Sequence, residues 1–257
     1  MRIATSSSIN DDAVQAVKDV STDILRSFAT PDLVLAYYTE TQDVATLKSE
    51  LKAAFPSAQI LGCSSCQGTM TDKGYLSGHN LSVLAIKDTH GAYGSAAIQL
   101  NPNIDVHTQA QEVLQVALRN SGRPGELPAL ITLHTTPGHE ETVLRAIRHE
   151  LGVNIPIIGG TAADNTVVGN WSLFDNETIT DNGISMAVFF PTARVSYAFH
   201  SGYAATGKSA VATRVNGRVL TELDGQPAAL VYATGIAKRR GLPSIMKLSF
   251  PNQPYSL

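Results

Sequence analysis

The sequence is poor in cysteine and has no long apolar run. Only Cys63 and Cys66 occur among 257 residues, too few to cross-link a secreted fold and typical of a reducing compartment. No stretch reaches the roughly 18 apolar residues of a membrane helix, and acidic residues follow the first ten positions before any apolar segment. We therefore expect a cytoplasmic protein without a membrane partner.

A block of basic residues is also absent. Lysine and arginine total 19 against 22 aspartate and glutamate, so the net charge is −3. Nucleic-acid binding depends on clustered basic residues that release counterions, and we therefore expect no DNA or RNA partner. The 43% of hydrophobic residues is typical of an ordinary globular protein with a large core.

Apolar residues alternate between helical and strand patterns along the first hundred residues. Helical spacing in residues 11–28 precedes a short apolar strand at 33–39, a second helical stripe at 44–55 and another strand at 58–62. A short helix between two apolar strands predicts a parallel pair with a right-handed crossover. The segments NLSVLAI and YGSAAIQL then predict an antiparallel hairpin closed by a turn near 89–91.

The same pattern returns about 97 residues later. Pro31 aligns with Pro128 and Ile60 with Ile157 without a gap, and GISMAVF repeats NLSVLAI after a longer loop. Such a period predicts a duplicated half-domain rather than a solenoid, although two unrelated βαβ units can resemble each other by chance. We predict an α/β fold with a duplicated α-β-α-β-β-β unit and pseudo-symmetry. Its mixed sheets combine a parallel βαβ core with antiparallel hairpins and are flanked by helices.

Small and hydroxyl-bearing residues follow the predicted parallel strands in both copies. Parallel sheets bind ligands beyond the carboxyl ends of their strands, where loop amides and helix N-termini converge. Glycine lets a ligand approach the backbone, and hydroxyls both donate and accept hydrogen bonds. The alternative is that these residues form tight turns without a ligand. The candidate ligand-binding residues here are Gly62, Cys63, Ser64, Ser65, His134, Thr135, Gly159, Gly160, Thr161 and Ala162.

One segment, GYAATGKS at 202–209, matches the phosphate-binding loop pattern letter for letter. Such a loop must open a helix, yet β-branched residues and a turn at Asn216 and Gly217 follow it and predict a β-hairpin. No later apolar strand ends in a magnesium-binding aspartate. We therefore do not expect ATP or GTP hydrolysis.

The two cysteines have CxxC spacing, but no helix pattern follows them and two cysteines alone cannot complete a structural zinc site. The simplest interpretation is that they pack under a loop as small residues. A Cys63 thiol activated by His134 is the enzyme alternative.

Histidine offers a second chemistry, although no HExxH pair occurs among the seven histidines. His134 ends a predicted strand, and His139 lies in the first turn of a predicted helix, where the helix dipole disfavours a charged imidazole. A neutral imidazole can bind a metal or haem iron, but most such histidines are surface or capping residues.

Four segments together resemble the FIST domain family. These are ILGCSS at 60–65, IPIIGGTAADN at 155–165, a glycine-rich segment with Gly202 and Gly207, and VLTELDGQPAALVY at 219–232. The elements ELDGQPA and GGTAADN are specific in combination, although each alone is weak. The resemblance adds Gly202 and Gly207 to the candidate ligand-binding residues.

The resemblance implies a non-enzymatic sensory domain of bacterial signal transduction that binds a small polar ligand, with amino acids proposed, and needs no cofactor. One family branch resembles haem-binding nitric-oxide sensors that act on a histidine kinase or a cyclic-di-GMP enzyme. It implies these partners, haem as the alternative ligand, and His134, His139 and His200 as candidate haem ligands. The oligomeric state is not predicted.

The chain departs from the family pattern at two places. Cys66, Gln67 and Gly68 stand where Ala-Gly-Glu is usual, and Ala205 stands where the glycine-rich segment usually has proline. The predicted sensory domain covers 1–232 and precedes an irregular tail at 233–257, the truncated start of a C-terminal companion domain. Its predicted parts are copy one at about 11–100, copy two at about 104–202 and a linking hairpin at 203–232.

Overall fold

The chain divides into two units, Met1–Tyr197 and the residues from Ala198 onward. The computed structural model describes residues 1–199, 203–204 and 207–240, with only the helical backbone of 236–240. None of the helices in these ranges is long and apolar enough to cross a membrane.

The first unit contains two series of helices and strands. The first series is β1 (Arg2–Ser8), α1 (Ala13–Ser27), β2 (Leu33–Thr39), α2 (Val44–Ala54), β3 (Gln59–Ser65), β4 (Gly68–Thr71), β5 (Gly74–Ser77) and β6 (Leu81–Lys87). The second series is β7 (Ala92–Gln99), α3 (Val106–Asn120), β8 (Leu130–Thr135), α4 (Glu140–Leu151), β9 (Ile157–Thr161), β10 (Leu173–Asp175), β11 (Ile179–Thr180) and β12 (Gly183–Phe190).

Aspartate residues fix the starts of three of these helices. The side chains of Asp12, Asp43 and Asp105 each accept a hydrogen bond from a backbone N–H in the first turn of α1, α2 and α3. Such caps satisfy donors that have no partner inside the helix. Helix α4 ends instead at Gly152, whose φ of 67° is the left-handed conformation that glycine adopts without a steric penalty.

Two mixed sheets form the centre of the first unit. One has the strand order β1-β6-β2-β3-β10-β11 and the other β7-β12-β8-β9. The pairs β2–β3 and β8–β9 are parallel, as predicted, and the other pairs are antiparallel. The mixed α/β fold is thus confirmed. Four strands of the first sheet match the four of the second in their order across the sheet, β1-β6-β2-β3 against β7-β12-β8-β9. The pseudo-symmetry of the two halves stays a prediction.

The predicted hairpin of NLSVLAI with YGSAAIQL is wrong. These segments form β6 and β7, which lie in different sheets. The reason is that β6 has both edges occupied, by β1 on one side and β2 on the other. The mostly polar residues of β1 give no strand pattern in the sequence, so the pairing of β1 with β6 was not predicted. The predicted first copy, about 11–100, therefore includes a strand that belongs to the second sheet.

The layers follow from the apolar faces of the helices and strands. Helices α1 and α2 pack on one face of the first sheet, and α3 and α4 pack on one face of the second. The opposite faces of the sheets meet in a cluster that contains strand residues and the partly buried Val195. Its buried members are Leu33, Leu35, Leu61, Ile86, Tyr93, Leu130, Ala187 and Phe189.

The second unit contains β13 (Ala212–Asn216), β14 (Val219–Leu223), β15 (Gln226–Pro227) and α5 (Ala228–Arg240). Strands β13 and β14 form the predicted hairpin, with Gly217 at φ 58° in its turn. A strand therefore follows GYAATGKS, where a phosphate-binding loop would need a helix.

The predicted irregular tail is helical over 233–240, as part of α5, and its remainder at 241–257 lies outside the described residues. An alanine-rich helix without a sharp apolar stripe gives little periodic signal, which is why the pattern missed it.

Gly62 lies directly beneath the ring of Phe174, and a Cβ there would come within 2.1 Å of that ring. We predict that Gly62→Ala lowers the free energy of unfolding by about 1–3 kcal/mol, because Phe174 must move out of a packed core. Urea unfolding measures the effect. Gly160→Ala is the matched control, since nothing lies within 4 Å of its added Cβ, and should change stability by less than about 0.5 kcal/mol. Equal losses in both variants would contradict this close contact.

Candidate functional site

A pocket of about 480 Å³ lies where the carboxyl ends of β2, β3, β8 and β9 converge. The loops that follow β3 and β9 therefore face one shared pocket. We call it the inter-sheet pocket. Its lining consists of Tyr37, Cys63, Ser64, Ser65, Cys66, His134, Gly159, Gly160, Thr161 and Ala163.

A Tyr37–His134 pair joins the two halves inside this pocket. The residues are 97 positions apart, so they occupy corresponding places on β2 and β8, beside Cys63 and Gly160 respectively. The tyrosine hydroxyl lies 3.2 Å from Nε2 of the imidazole, and the rings meet edge to face. Sequence reasoning missed Tyr37, although its offset of 97 from His134 was a signal that could have found it.

The imidazole of His134 is held in one neutral form. Its Nδ1 lies 3.0 Å from the carbonyl oxygen of Gly160, and a carbonyl can only accept, so Nδ1 carries the proton. Nε2 then accepts from the Tyr37 hydroxyl. Burial lowers the pKa of His134 to about 4, and the hydrogen bond to Gly160 only partly offsets it. The pocket therefore contains an uncharged imidazole at neutral pH.

Cys63 lacks the features of a thiol nucleophile. Its side chain is buried, its Sγ–H donates to Ser64 O, and burial raises its pKa to about 12. A reactive cysteine needs the opposite shift, because only the thiolate attacks. Cys66 is exposed at the edge of the pocket.

Ser64 of the first half is hydrogen-bonded to two residues of the second half. Its hydroxyl donates to Ala163 O and accepts from Ser172 N–H, both at 3.0 Å. Its backbone N–H donates to Ser172 O and its carbonyl accepts from Ala163 N–H. With these bonds made, Ser64 is 2% exposed and offers little to a ligand.

The GGTAADN segment fixes the loop that follows β9. Asp164 is buried, and its carboxylate accepts hydrogen bonds from the backbone N–H groups of residues 166–170. Burial acts to raise its pKa, but these bonds outweigh burial and lower it. The backbone N–H of the adjacent Asn165 donates to Glu40, which ties the loop to the end of β2. Asp164 was not predicted as a site residue.

Several other predicted site residues lie outside the pocket lining. Gly62 is covered by Phe174, Thr135 is buried, and Ala162 packs with Cys63 and Leu173. Gly207 belongs to the second unit, and Gly202 and His200 lie outside the described residues.

The two candidate haem ligands within the described residues, His134 and His139, do not both line the inter-sheet pocket. His134 uses both ring nitrogens, and His139 precedes α4 without lining the pocket. In the described part of the chain, no group of three or more His, Cys, Asp or Glu side chains is placed to hold a metal ion.

Comparison with known proteins identifies the family. The FIST N domain family matches residues 32–226, which includes every strand that borders the pocket. The chain belongs to the FIST N domain family. It is 25% identical over 203 residues to the uncharacterized protein MJ1623 of Methanocaldococcus jannaschii, a match that covers 75% of this chain and 38% of that protein. The chain thus spans about two fifths of this relative.

Among solved structures, the cyanuric acid hydrolase from A. caulinodans matches with a TM-score of 0.37 and 10% identity. That match covers 73% of this chain and 66% of the hydrolase.

We predict that His134 makes stability depend on pH. A histidine in the unfolded chain has a pKa near 6.5, whereas His134 in the folded chain has a pKa of about 4. Between these two pH values the unfolded state binds a proton that the folded state does not bind. The stabilisation is complete above pH 6.5 and is lost as the pH falls, by about 2 kcal/mol at pH 5. Urea unfolding at pH 7.5 and 5.0 should show this loss in the wild type and a smaller one in His134→Gln. His90→Gln, at an exposed histidine, is the control, and an unchanged loss in His134→Gln would contradict the prediction.

We predict that iodoacetamide near neutral pH modifies Cys66 and leaves Cys63 intact in the folded chain. Burial and the raised pKa of Cys63 both oppose formation of its thiolate. Mass spectrometry of the Cys66→Ser and Cys63→Ser variants separates the two rates. Faster labelling of Cys63 than of a free thiol would revive the enzyme alternative.

Proposed function

We propose that this FIST N domain senses a small polar ligand of no net charge, such as a zwitterionic amino acid, bound in the inter-sheet pocket. The family is a family of sensory domains, and a sensory role follows from membership. The observation that supports this ligand class best is the pocket itself, which both halves build from polar but uncharged groups.

The lining chemistry favours ligands of this kind. Among the described residues that line the pocket, hydroxyls, thiols, peptide groups and one neutral imidazole occur, and no Asp, Glu, Lys or Arg. Transfer of an ion out of water is costly unless an opposite charge receives it. Uncharged ligands lose less, because peptide groups and hydroxyls can replace their hydrogen bonds to water. The carboxylate and ammonium groups of an amino acid would have to be met by the peptide N–H groups, carbonyls and hydroxyls of the lining.

Binding at this position can influence both halves of the first unit. Tyr37 and Cys63 come from the first sheet, whereas His134 and Gly160 come from the second. A ligand between them would contact loops that Ser64, Glu40 and Asn165 already tie together. We propose that the bound state is communicated in the cytoplasm to a signalling protein such as a histidine kinase or a cyclic-di-GMP enzyme, rather than used for catalysis.

Isothermal titration of the chain against amino acids, uncharged amides and singly charged organic ions tests the ligand class. We expect measurable heat with at least one amino acid or uncharged amide and none with singly charged ions. A folded chain that gives no heat with any amino acid would remove the amino-acid version, and binding of ions alone would contradict the uncharged class.

Gly160 provides the variant that places the ligand. Its added side chain would extend into the pocket from a position with no neighbour within 4 Å, so Gly160→Leu should fill the space and weaken binding at least tenfold. Gly160→Ala is the matched control with a small expected effect. Unchanged affinity in Gly160→Leu would place the ligand elsewhere.

The haem alternative has its own readout. After reconstitution with haem and removal of unbound haem by gel filtration, absorption spectroscopy should show no Soret band in the wild-type protein fraction, because Tyr37 already occupies Nε2 of His134. A Soret band that His134→Ala abolishes would instead favour the haem sensor.

A further inference from the structure

The outer edge of β9 is open, whereas the corresponding edge of β3 is covered. Within the part of the chain that the structure describes, β9 pairs with β8 alone, while β3 pairs with both β2 and β10. The consequence is seen in burial. Residues 60–64 of β3 are buried, but residues 158–161 of β9 are exposed, including Ile158 at 41%.

The hairpin β10–β11 shows what covers such an edge. It comes from the second half and lies antiparallel to β3 of the first half, with Leu173 opposite Cys63. The N–H groups of Ile60 and Ser64 donate to this segment, to Asn176 Oδ1 and Ser172 O. Phe174 lies over Gly62 and joins the buried cluster that contains Leu47 of α2.

Three strand residues of this arrangement have counterparts at β9, 97 residues later. Ile157, Gly159 and Thr161 correspond to Ile60, Gly62 and Ser64. Strand amides alternate in direction, and the N–H of Ala162 donates to Thr135 of β8, so the amides at 157, 159 and 161 point away from β8. Unpaired amides along a strand edge are a template for another strand.

A cavity of about 190 Å³ lies beside Gly159, the residue that corresponds to Gly62 under the ring of Phe174. Its lining comes from α4 and from strands β8 and β9, and it includes Leu144, which is 97 residues after Leu47. Around Phe174 the same space is filled, whereas here Gly159 and Leu144 border an open cavity. The lining residues are Leu133, Thr135, Glu140, Leu144, Ile157, Ile158, Gly159, Gly160 and Thr161.

The contact between the halves is not reciprocal. The first half has its own hairpin, β4–β5, at the position in chain order that β10–β11 has in the second half. That hairpin pairs only with itself among the described strands and leaves β9 uncovered, with Met70 and Tyr75 exposed at its surface. A contact in which the two units use different surfaces leaves one of those surfaces uncovered on each outer unit, and it gives a closed assembly only when further units join. The relative MJ1623 has room for them, since the match covers 38% of its length.

We propose that the outer edge of β9 docks the β10-type hairpin of a further α/β unit of this kind. The hairpin adds a strand antiparallel to β9, accepts hydrogen bonds from the amides at 157, 159 and 161, and inserts a large apolar side chain over Gly159. This is strand addition, in which main-chain bonds provide affinity and a side-chain cavity provides selectivity. It requires no ligand in the inter-sheet pocket.

A labelled peptide of residues 171–181 is the probe for the full chain, because it contains β10 and β11 and the hydrogen bond from Trp171 to Asp181 closes it. We expect saturable binding by fluorescence anisotropy, and slower exchange of the amides of Ile157, Gly159 and Thr161 by NMR. The peptide with Phe174→Ala should bind at least tenfold more weakly.

Two variants of the chain localise the binding. Ile158→Lys puts a charge on the exposed edge and should weaken binding at least tenfold. Val153→Lys changes a similarly exposed valine outside the cavity and should bind as the wild type does. The peptide variant keeps the test decisive if Ile158→Lys does not fold.

Three results of the peptide experiment would overturn the proposal. They are no binding of the peptide to the folded chain at millimolar concentration, equal binding of the Phe174→Ala peptide, and slower exchange confined to β3, where the probe would merely replace the native hairpin. Self-association of the chain that Ile158→Lys abolishes would assign the edge to a second copy and would overturn the choice of occupant.

Discussion

The hydrogen-bonded contact of β10 with β3 is the interaction on which the geometry of this domain depends. It carries a segment of the second half onto the first sheet, and the burial of Phe174 over Gly62 fixes its position. Ser64 adds side-chain bonds to both Ala163 and Ser172 at the same place. These contacts lie at the carboxyl end of β3. They hold the loops after β3 and β9 close together, and both loops line one pocket.

Electrostatics follows from the same packing. Two corresponding residues, Tyr37 and His134, meet across the halves, and burial keeps the imidazole neutral while Gly160 fixes its tautomer. Burial also keeps Cys63 protonated, so the two groups that suggested nucleophilic chemistry are both held in their uncharged forms. The pocket therefore presents uncharged hydrogen-bonding groups, and the family to which the chain belongs is a family of sensory domains.

The two halves differ most at the edges of their sheets. Where β10 covers β3, the strand is buried. Among the described strands β9 has β8 on one side and no strand on the other, and its last residues are exposed. The exposed residues Gly160 and Thr161 also line the inter-sheet pocket. A strand added at β9 would therefore alter one wall of the pocket, which gives a direct physical path between a docked unit and a bound ligand.

The sequence by itself determined much of the local structure and the family, and it predicted the approximate place of the candidate site. Periodicity predicted the helices and the parallel strands, because each depends on neighbours within a few residues, and the offset of 97 placed Gly62 and Gly159 at matching strand ends. The ELDGQPA and GGTAADN elements identified the family. Only the tertiary structure decided that β6 and β7 join different sheets, since that choice depends on β1, a polar strand that occupies the edge of β6. It also decided which candidates face the pocket. In the sequence, Ser64 and Cys63 are both small polar residues at the end of a strand. In the structure, the hydroxyl of Ser64 is hydrogen-bonded to a distant segment, and burial keeps the thiol of Cys63 protonated. Such contacts between distant segments leave no local pattern in the sequence.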